Sequence, residues 1–571
     1  MKPTMPATAQ VALEWGWDQY AAHASALTQQ TLTAANCTAW LADWTQLASL
    51  LDEVAARLVI ASTVDTTDKA AEARYNAYLE GVQPQWLATQ QTLRELLLQS
   101  GLQPSGMEIP LRNMRAEAAL FRETNLPLLT EEKKLGVEYD QTIAAQTVQW
   151  EGSERTLSQL GPVYQDPDRT RRERAWRLAM ERRLADRPQL NSLWQKFLQL
   201  RTQLAANAGL ATYRDYAWQD RLRFDYTPQD CSSFHDAIER VVVPAASRIY
   251  ERRRQRLGLQ TLRPWDLDVD VAQRQALRPF TDAAQLVSTS SAIFHRISPQ
   301  LGEMFDTLNR EQLLDLDNRK GKAPGGYCTS LPLARRTYIF MNSVGMHDDV
   351  QTLLHEAGHA FQDFHIAQNP RLPYAQQWNT PLEFCEVASM AMELLAAPQL
   401  AKTAGGFYNA ADAARARTEH LEGIVLFWPY MAVVDAFQHW VYEHAAAAAD
   451  SAQCDAQWAR LWQRFMPGID YSGMEDILAT GWHRKLHIFQ VPFYYIEYGL
   501  AQLGAVQIWR NATKDKVLAL AGYRAAISLG GSVPLPQLFA TAGARFAFDA
   551  TALQDSVDLL EATLADLETQ N

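Results

Sequence analysis

The sequence predicts a mainly α-helical protein with one small sheet inserted among its helices. Between Val11 and Gln99 apolar residues recur three and four apart, as in Trp40, Leu41, Trp44, Leu47, Leu50, Leu51, Val54 and Leu58, so they line one helix face. From Arg169 to Arg201 the same spacing returns, with arginines and glutamates at the polar positions. The pattern changes between Leu313 and Asn342, where turn residues and a short β-type run replace it.

Taken in order, the N-terminal segments to Gln99 and the stretch Arg169–Arg201 are amphipathic helices, and Arg252-Arg253-Arg254 is a solvated helix face. In the changed region Gly321, Pro324, Gly325 and Gly326 mark turns, and Thr337 to Asn342 is the β-type run, so a small antiparallel sheet is expected. The helix after it starts near His347-Asp348-Asp349, where acidic residues suit the positive helix end, and Pro370 stops it. The next helix is expected to use Thr380 as N-cap, Pro381 as first helical residue and Glu383 to complete a capping box. It runs through Glu386, Met390 and Glu393 and ends before Pro398. The run Ala445 to Ala449 falls in a helix, and no internal repeat is found.

A chain of 571 residues exceeds what one growing core supports, so two or more subdomains are expected. With 47% hydrophobic and 21% charged residues the composition is that of a soluble globular protein and excludes wholesale disorder. A net charge of −12 argues against nucleic acid as a partner, because phosphate binding needs a basic face. Cys37, Cys231, Cys328, Cys385 and Cys454 are far apart and unpatterned, as free thiols of a reducing compartment are. The first residues lack the apolar core of a signal peptide, and no apolar run approaches the roughly 20 residues that span a bilayer. A cytoplasmic protein with no membrane partner is expected.

The chemistry sits in His355-Glu356-Ala357-Gly358-His359. On a helix, histidines four apart project from one face and hold a single Zn2+. Glu356 then stands where it takes a proton from a water at the metal. With 12 histidines in the chain, such a pentapeptide arises by chance only about one or two times in a hundred, which favours a zinc hydrolase site. A catalytic zinc keeps one position for water, so the two histidines need one more protein ligand. Glu383, Glu386 and Glu393 share a stripe of the next helix. Glu383 is explained by capping, and Glu393, two turns beyond Glu386, suits the orienting of a ligand histidine. Glu386 is the best third ligand.

The tetrahedral intermediate of a hydrolysis also needs donors aimed at its oxyanion. His483, His487 and the run Pro492-Phe493-Tyr494-Tyr495-Ile496-Glu497-Tyr498 are the candidate source. Nine of the 12 histidines lie between His347 and His487, which favours a functional cluster. For the tyrosines, aromatic packing in a helix fits the residues equally well, so their role is open at this point. The β-type run just before the zinc helix offers an edge strand that pairs with an extended peptide through backbone hydrogen bonds.

An extended set of residues resembles the M3 peptidases, specifically their oligoendopeptidase F branch. It comprises Gly321-Lys322 with Gly325-Gly326-Tyr327-Cys328, then Asn342, Gly345 and Asp349 to Leu353, and then the zinc pentapeptide with Ala360. Glu383 to Ser389 follow, then His487 with Pro492 to Tyr498, and near the C-terminus Leu529-Gly530-Gly531-Ser532 with Pro534. The likeness extends over about residues 190 to 571 and is weaker before that, which divides the chain into an N-terminal helical domain (1–190) and a catalytic domain (191–571). The resemblance implies one zinc per chain with Glu386 as third ligand, and Glu356 as general base. It further implies that His487 and Tyr498 bind substrate and transition state, with Tyr494 and Tyr495 as companions. It also implies two helical halves enclosing a deep channel, zinc on the channel floor, and internal cleavage of short peptides. Two departures stand out. Gln362 occupies a position where many relatives have histidine, and Val387-Ala388-Ser389 replaces a stretch where relatives have proline.

Two other readings compete. A zinc exopeptidase would use the same ligands, although the chain has no Gly-x-Met-Glu-Asn-type aminopeptidase signature. A helical peptide-binding protein that has lost catalysis would show damage at Glu356 or a ligand, and all are intact. Cobalt or manganese fits the same nitrogen and oxygen donors. Subsite preference and oligomeric state are left open by the sequence.

Overall fold

The computed structural model describes residues 4–568, and helices pack along nearly all of them. Helix α1 (Cys37–Val64) buries Trp40, Leu41, Trp44, Leu47, Leu51, Val54 and Leu58, the face marked by the apolar spacing. That face meets Trp86, Leu93, Leu97 and Met114 of the following helices to form an N-terminal core. A second and larger core takes up Leu120, Leu135 and Tyr139 and runs on to Leu567. The helix Leu126–Ala144 turns its apolar side to the larger core, while Tyr374 joins the N-terminal one. A short antiparallel hairpin, β1 (Thr147–Trp150) and β2 (Ser153–Thr156), has a satellite core of Trp150, Ala175 and Ala179. Among the described residues no helix is long and apolar enough to cross a membrane.

The sheet before the helix His347–Gln368 differs in one respect from the expected one. Strands β4 (Tyr327–Leu331) and β5 (Arg336–Ser343) pair antiparallel, with Cys328 opposite Ile339. Strand β3 (Leu314–Asp317) adds to the other side of β5 in parallel, giving the order β3-β5-β4. The chain reverses twice between β3 and β5, so these two strands run in one direction and the sheet is mixed. The turn before β4 is stitched to the end of α1. The Ala323 amide donates to the Thr63 carbonyl (2.8 Å), and the Thr66 hydroxyl donates to the Gly321 carbonyl (2.7 Å).

Helix α2 (Pro228–Arg256) starts with a Thr227–Asp230 capping box. Helix α3 (His347–Gln368) starts where the acidic residues predict, with Asp349 Oδ2 accepting from the amides of Met346 (2.7 Å) and Val344 (2.9 Å). Helix α4 (Leu382–Ala396) then crosses α3 at very short range. A Cβ on Gly358 would stand 2.5 Å from the Cα of Ser389, so only glycine permits the approach. The expected cap of α4 is not formed. Pro381 is the N-cap residue with no side-chain cap, and the Thr380 hydroxyl donates back to the Trp378 carbonyl (3.4 Å). Glu383 is drawn away into a buried polar cluster, where a guanidinium needs it.

Helices α5 (Ala410–Glu443) and α6 (Tyr495–Lys514) complete the support of the site. Helices account for most of the fold, in which these four meet around one point. Asp268 and Asp348 keep much of their surface exposed. Shielding by the surrounding protein nevertheless pushes both carboxyls up, and Glu393 adds to the effect at Asp348.

Candidate active site

Three donor groups converge where α3 and α4 cross. His355 and His359 stand one turn apart on α3, and Glu386 faces them from α4. Glu386 Oε2 lies 3.1 Å from His355 Nε2 and 3.5 Å from His359 Nε2. One ligand atom from each of the three lies within 4.8 Å of the other two. A tetrahedral zinc with bonds of ~2.0–2.1 Å sets its donors ~3.3 Å apart, so this donor set fits zinc in both type and spacing. Ser389 supports it, since its hydroxyl donates to Glu386 Oε2 (3.1 Å). The departure at Val387-Ala388-Ser389 thus supplies a hydrogen bond to the carboxylate.

Glu393 lies two turns further along α4. Its Oε1 pairs with His355 Nδ1 (2.7 Å), and its Oε2 pairs with His420 Nε2 of α5 (2.9 Å). The first of these bonds turns His355 Nε2 toward Glu386. Burial disfavours charge on His355, but its bonds to Glu386 and Glu393 prevail and hold its pKa well above the ordinary value. Burial also disfavours charge on Glu386, and His359 and His355 prevail and hold it well below the usual carboxylate range. The carboxylates of Glu386 and Glu393 thus favour positive charge beside His355.

Glu356 is buried on α3 between the two histidines. Its Oε1 is 3.4 Å from the place a Cβ on Gly326 would take, so glycine there leaves room beside the carboxylate. Among the described residues the carboxylate has no hydrogen-bond partner. Burial raises its pKa, against the pull of His355 and His359. A raised pKa and a free oxygen suit a proton acceptor.

The C-terminal candidates divide. His487 Nε2 lies 3.2 Å from the Tyr498 hydroxyl, and the Tyr494 hydroxyl donates to Glu386 Oε1 (2.6 Å). The phenols of Tyr494 and Tyr498 are raised well above their ordinary pKa by burial and by Glu386, so both stay protonated donors. Burial, with Lys485 adding to it, lowers His487 to about 3, which leaves a neutral imidazole. Tyr495 packs its ring 5.1 Å from that of His487, but its hydroxyl accepts from Lys485 Nζ (2.8 Å). His483 does not join the cluster. Its Nε2 bonds Asn191 Oδ1 (2.7 Å), and its ring lies on Trp482, so it offers no donor here.

The turn that aims Tyr494 and Tyr498 is held from behind. Phe493 has φ 64°, a conformation that costs a residue with a side chain about 1–3 kcal/mol. Gln438 Oε1 accepts from its amide (2.7 Å), Arg223 donates to its carbonyl (2.5 Å), and Arg221 Nε donates to the Pro492 carbonyl (2.9 Å). Arg223 is buried and pairs with Glu497 at 2.6 Å, and Glu383 lies 3.6 Å away while accepting from the Tyr226 hydroxyl (2.5 Å). This is where Glu383 went. Glu383→Ala should therefore cost about 2–3 kcal/mol, as loss of a hydrogen bond to a buried charged group does, rather than the ~1 kcal/mol of a lost cap. Chemical denaturation checks this, and a loss well under ~1 kcal/mol would take Glu383 out of the cluster. His420, Arg221 and Arg223 were not found from the sequence, because no spacing links them to the zinc pentapeptide.

The profile of the family described as Peptidase family M3 matches residues 163–558. The chain belongs to peptidase family M3. This M3 peptidase is 28% identical to a solved PZ peptidase A with inhibitor 2, with TM-score 0.91 over 100% of this chain and 99% of that one. It is also 28% identical to a solved protein assigned as oligoendopeptidase F, with TM-score 0.90 over 100% of this chain and 98% of that one. A protein assigned as oligoendopeptidase F from Bacillus anthracis shares the fold at 23% identity, with TM-score 0.87 over 98% of this chain and 97% of that one. These neighbours agree with the oligoendopeptidase F branch of the family. Among curated proteins none matches the M3 peptidase described here.

Proposed function

We propose that this M3 peptidase is a zinc-dependent oligoendopeptidase that hydrolyses internal bonds of short peptides. The observation that carries the reading is the convergence of His355, His359 and Glu386 beside the carboxylate of Glu356, which has no hydrogen-bond partner among the described residues. His355, His359 and Glu386 would hold the metal. When bound, zinc supplies a Lewis acid that makes water a better nucleophile and polarises the scissile carbonyl.

The chain's own groups do the rest. Glu356 accepts a proton from the attacking water and passes it to the leaving amine. Tyr498, protonated and next to His487, donates to the developing oxyanion. Tyr494 holds Glu386, and Tyr495 keeps the aromatic cluster in place through Lys485. Strand β4 is an edge of its sheet and packs beside α3, which supports pairing with an extended peptide. The deep channel that the resemblance to this family implies would favour short chains over folded ones. The cysteines Cys37, Cys231, Cys328, Cys385 and Cys454 are all unpaired, which supports a reducing, cytoplasmic setting.

The test is a mixed peptide digest read by mass spectrometry, with metal analysis of the same preparation. Chelation should abolish cleavage, zinc should restore it, and the cuts should be internal. Glu386→Ala should lose metal affinity, because it removes one of three protein ligands. Terminal trimming alone would convert the reading to an exopeptidase, and full zinc retention in Glu386→Ala would show another third ligand.

A further inference from the structure

Next to the site lies a cavity of about 300 Å³ that the proposed chemistry does not use. It adjoins the site through Ala323, Pro324 and Asn342 of its wall. Asn342 Nδ2 donates to the carbonyls of Ala323 (2.9 Å) and Gly325 (2.8 Å) and so holds the turn that carries Gly326 beside Glu356. On the other side, Arg484 of the wall lies three residues before His487. The cavity thus borders the turn that flanks Glu356.

The cations of the wall fall into two kinds. Arg319 and Lys322 are paired with Asp315, at 2.8 and 3.0 Å. Arg183, from the helix Arg169–Ala185, and Arg484, from the turn Gly481–Arg484, have no carboxylate within 4.0 Å among the described residues. Asp268 feels Arg484 only at longer range. The two guanidiniums also repel each other, and burial together with Arg484 lowers Arg183 to about 10. Around them Trp176, Trp462 and Tyr471 give an apolar, aromatic surface. Arg484 is exposed and Arg183 half-buried, and the phenols of Tyr430 and Tyr471 favour the charge of Arg484, so two charged guanidiniums face one cavity and suit an anion that enters it.

We propose that Arg183 and Arg484 form a subsite for a carboxylate of the bound peptide, while Trp176, Trp462 and Tyr471 cover an adjacent apolar side chain. The carboxylate comes from the free C-terminus or from an Asp or Glu side chain. Guanidinium groups suit either, since they hold carboxylates with paired, charge-assisted hydrogen bonds. The proposal rests on the reading of the protein as a peptidase of short peptides, and it gives that peptidase a substrate class.

The test measures binding, so it does not depend on turnover. Metal-loaded Glu356→Gln is titrated by calorimetry with one neutral peptide as free acid, the same peptide as C-terminal amide, and the amide with a single Asp or Glu moved along it. One carboxylate-bearing peptide should bind about 10–100-fold more tightly than the neutral amide, as hydrogen bonds to a charged group do. Preference for the free acid identifies the terminus as the source, and preference for one acidic position identifies a side chain. Adding Arg183→Gln or Arg484→Gln should remove that preference and leave binding of the neutral amide unchanged, and Arg484→Lys should keep part of it. Equal binding of all peptides, binding of none, or a preference that survives both Gln substitutions overturns the subsite. Failure of the wild-type protein to cleave any peptide overturns the oligoendopeptidase reading instead, and the binding data still decide the subsite.

Discussion

Glu356→Gln is expected to lower peptide turnover by about 10²–10⁴-fold while the metal content stays the same. Glutamine preserves the length and shape of the side chain and removes its capacity to accept a proton. The position asks for that capacity. Glu356 is buried between the two histidines, its pKa is raised by burial, and no group of the described residues hydrogen-bonds its carboxylate. His355, His359 and Glu386 are untouched by the change, so zinc should remain. Peptide cleavage and elemental analysis on one preparation check both halves. Near-normal turnover in a metal-replete variant would remove Glu356 from the mechanism.

Tyr498→Phe should lower turnover by about 10²–10³-fold, the usual effect of losing one oxyanion donor, with zinc content and Tm little changed. The structure separates Tyr498 from its two neighbours. The Tyr494 hydroxyl is committed to Glu386 at 2.6 Å and the Tyr495 hydroxyl to Lys485 at 2.8 Å. Among the described residues the Tyr498 hydroxyl bonds only His487, at 3.2 Å, and its phenol stays protonated because burial and Glu386 hold its pKa high. Phenylalanine keeps the ring against Phe427, 6.2 Å away between centroids, so packing survives. If Tyr498 is a packing aromatic, turnover stays near wild type and any effect appears in stability. Unchanged turnover in a metal-replete protein therefore sinks the donor role.

Much of the site was legible because its parts are close in the chain. His355, Glu356 and His359 lie within one helical turn, and Glu386 and Glu393 lie seven residues apart on the next helix. Local periodicity is enough to put each set on one face. The boundaries of α3 followed from Asp349 and Pro370 for the same reason. Local reasoning misplaced Glu383, whose capping pattern looked complete. A buried guanidinium at Arg223, 160 residues upstream, outcompetes a cap that solvent can replace. It also grouped His483 with His487, although Asn191 and Trp482 hold His483 elsewhere.

By itself the sequence determined the helical class, the helix that carries the two histidines, the glutamate between them and the acidic stripe that faces them. These depend on spacings of three, four and seven, which a helix converts directly into geometry. Only the tertiary structure decided which side chains meet across elements. It chose the parallel partner of β5, bridged His355 to His420 through Glu393, and gave each tyrosine of the C-terminal run a different hydroxyl partner. It also brought Arg183 and Arg484, 301 positions apart in the chain, to one cavity wall. Such pairings are set by burial, which must satisfy every charge it encloses with whatever partner the fold brings near, and chain distance carries no record of that.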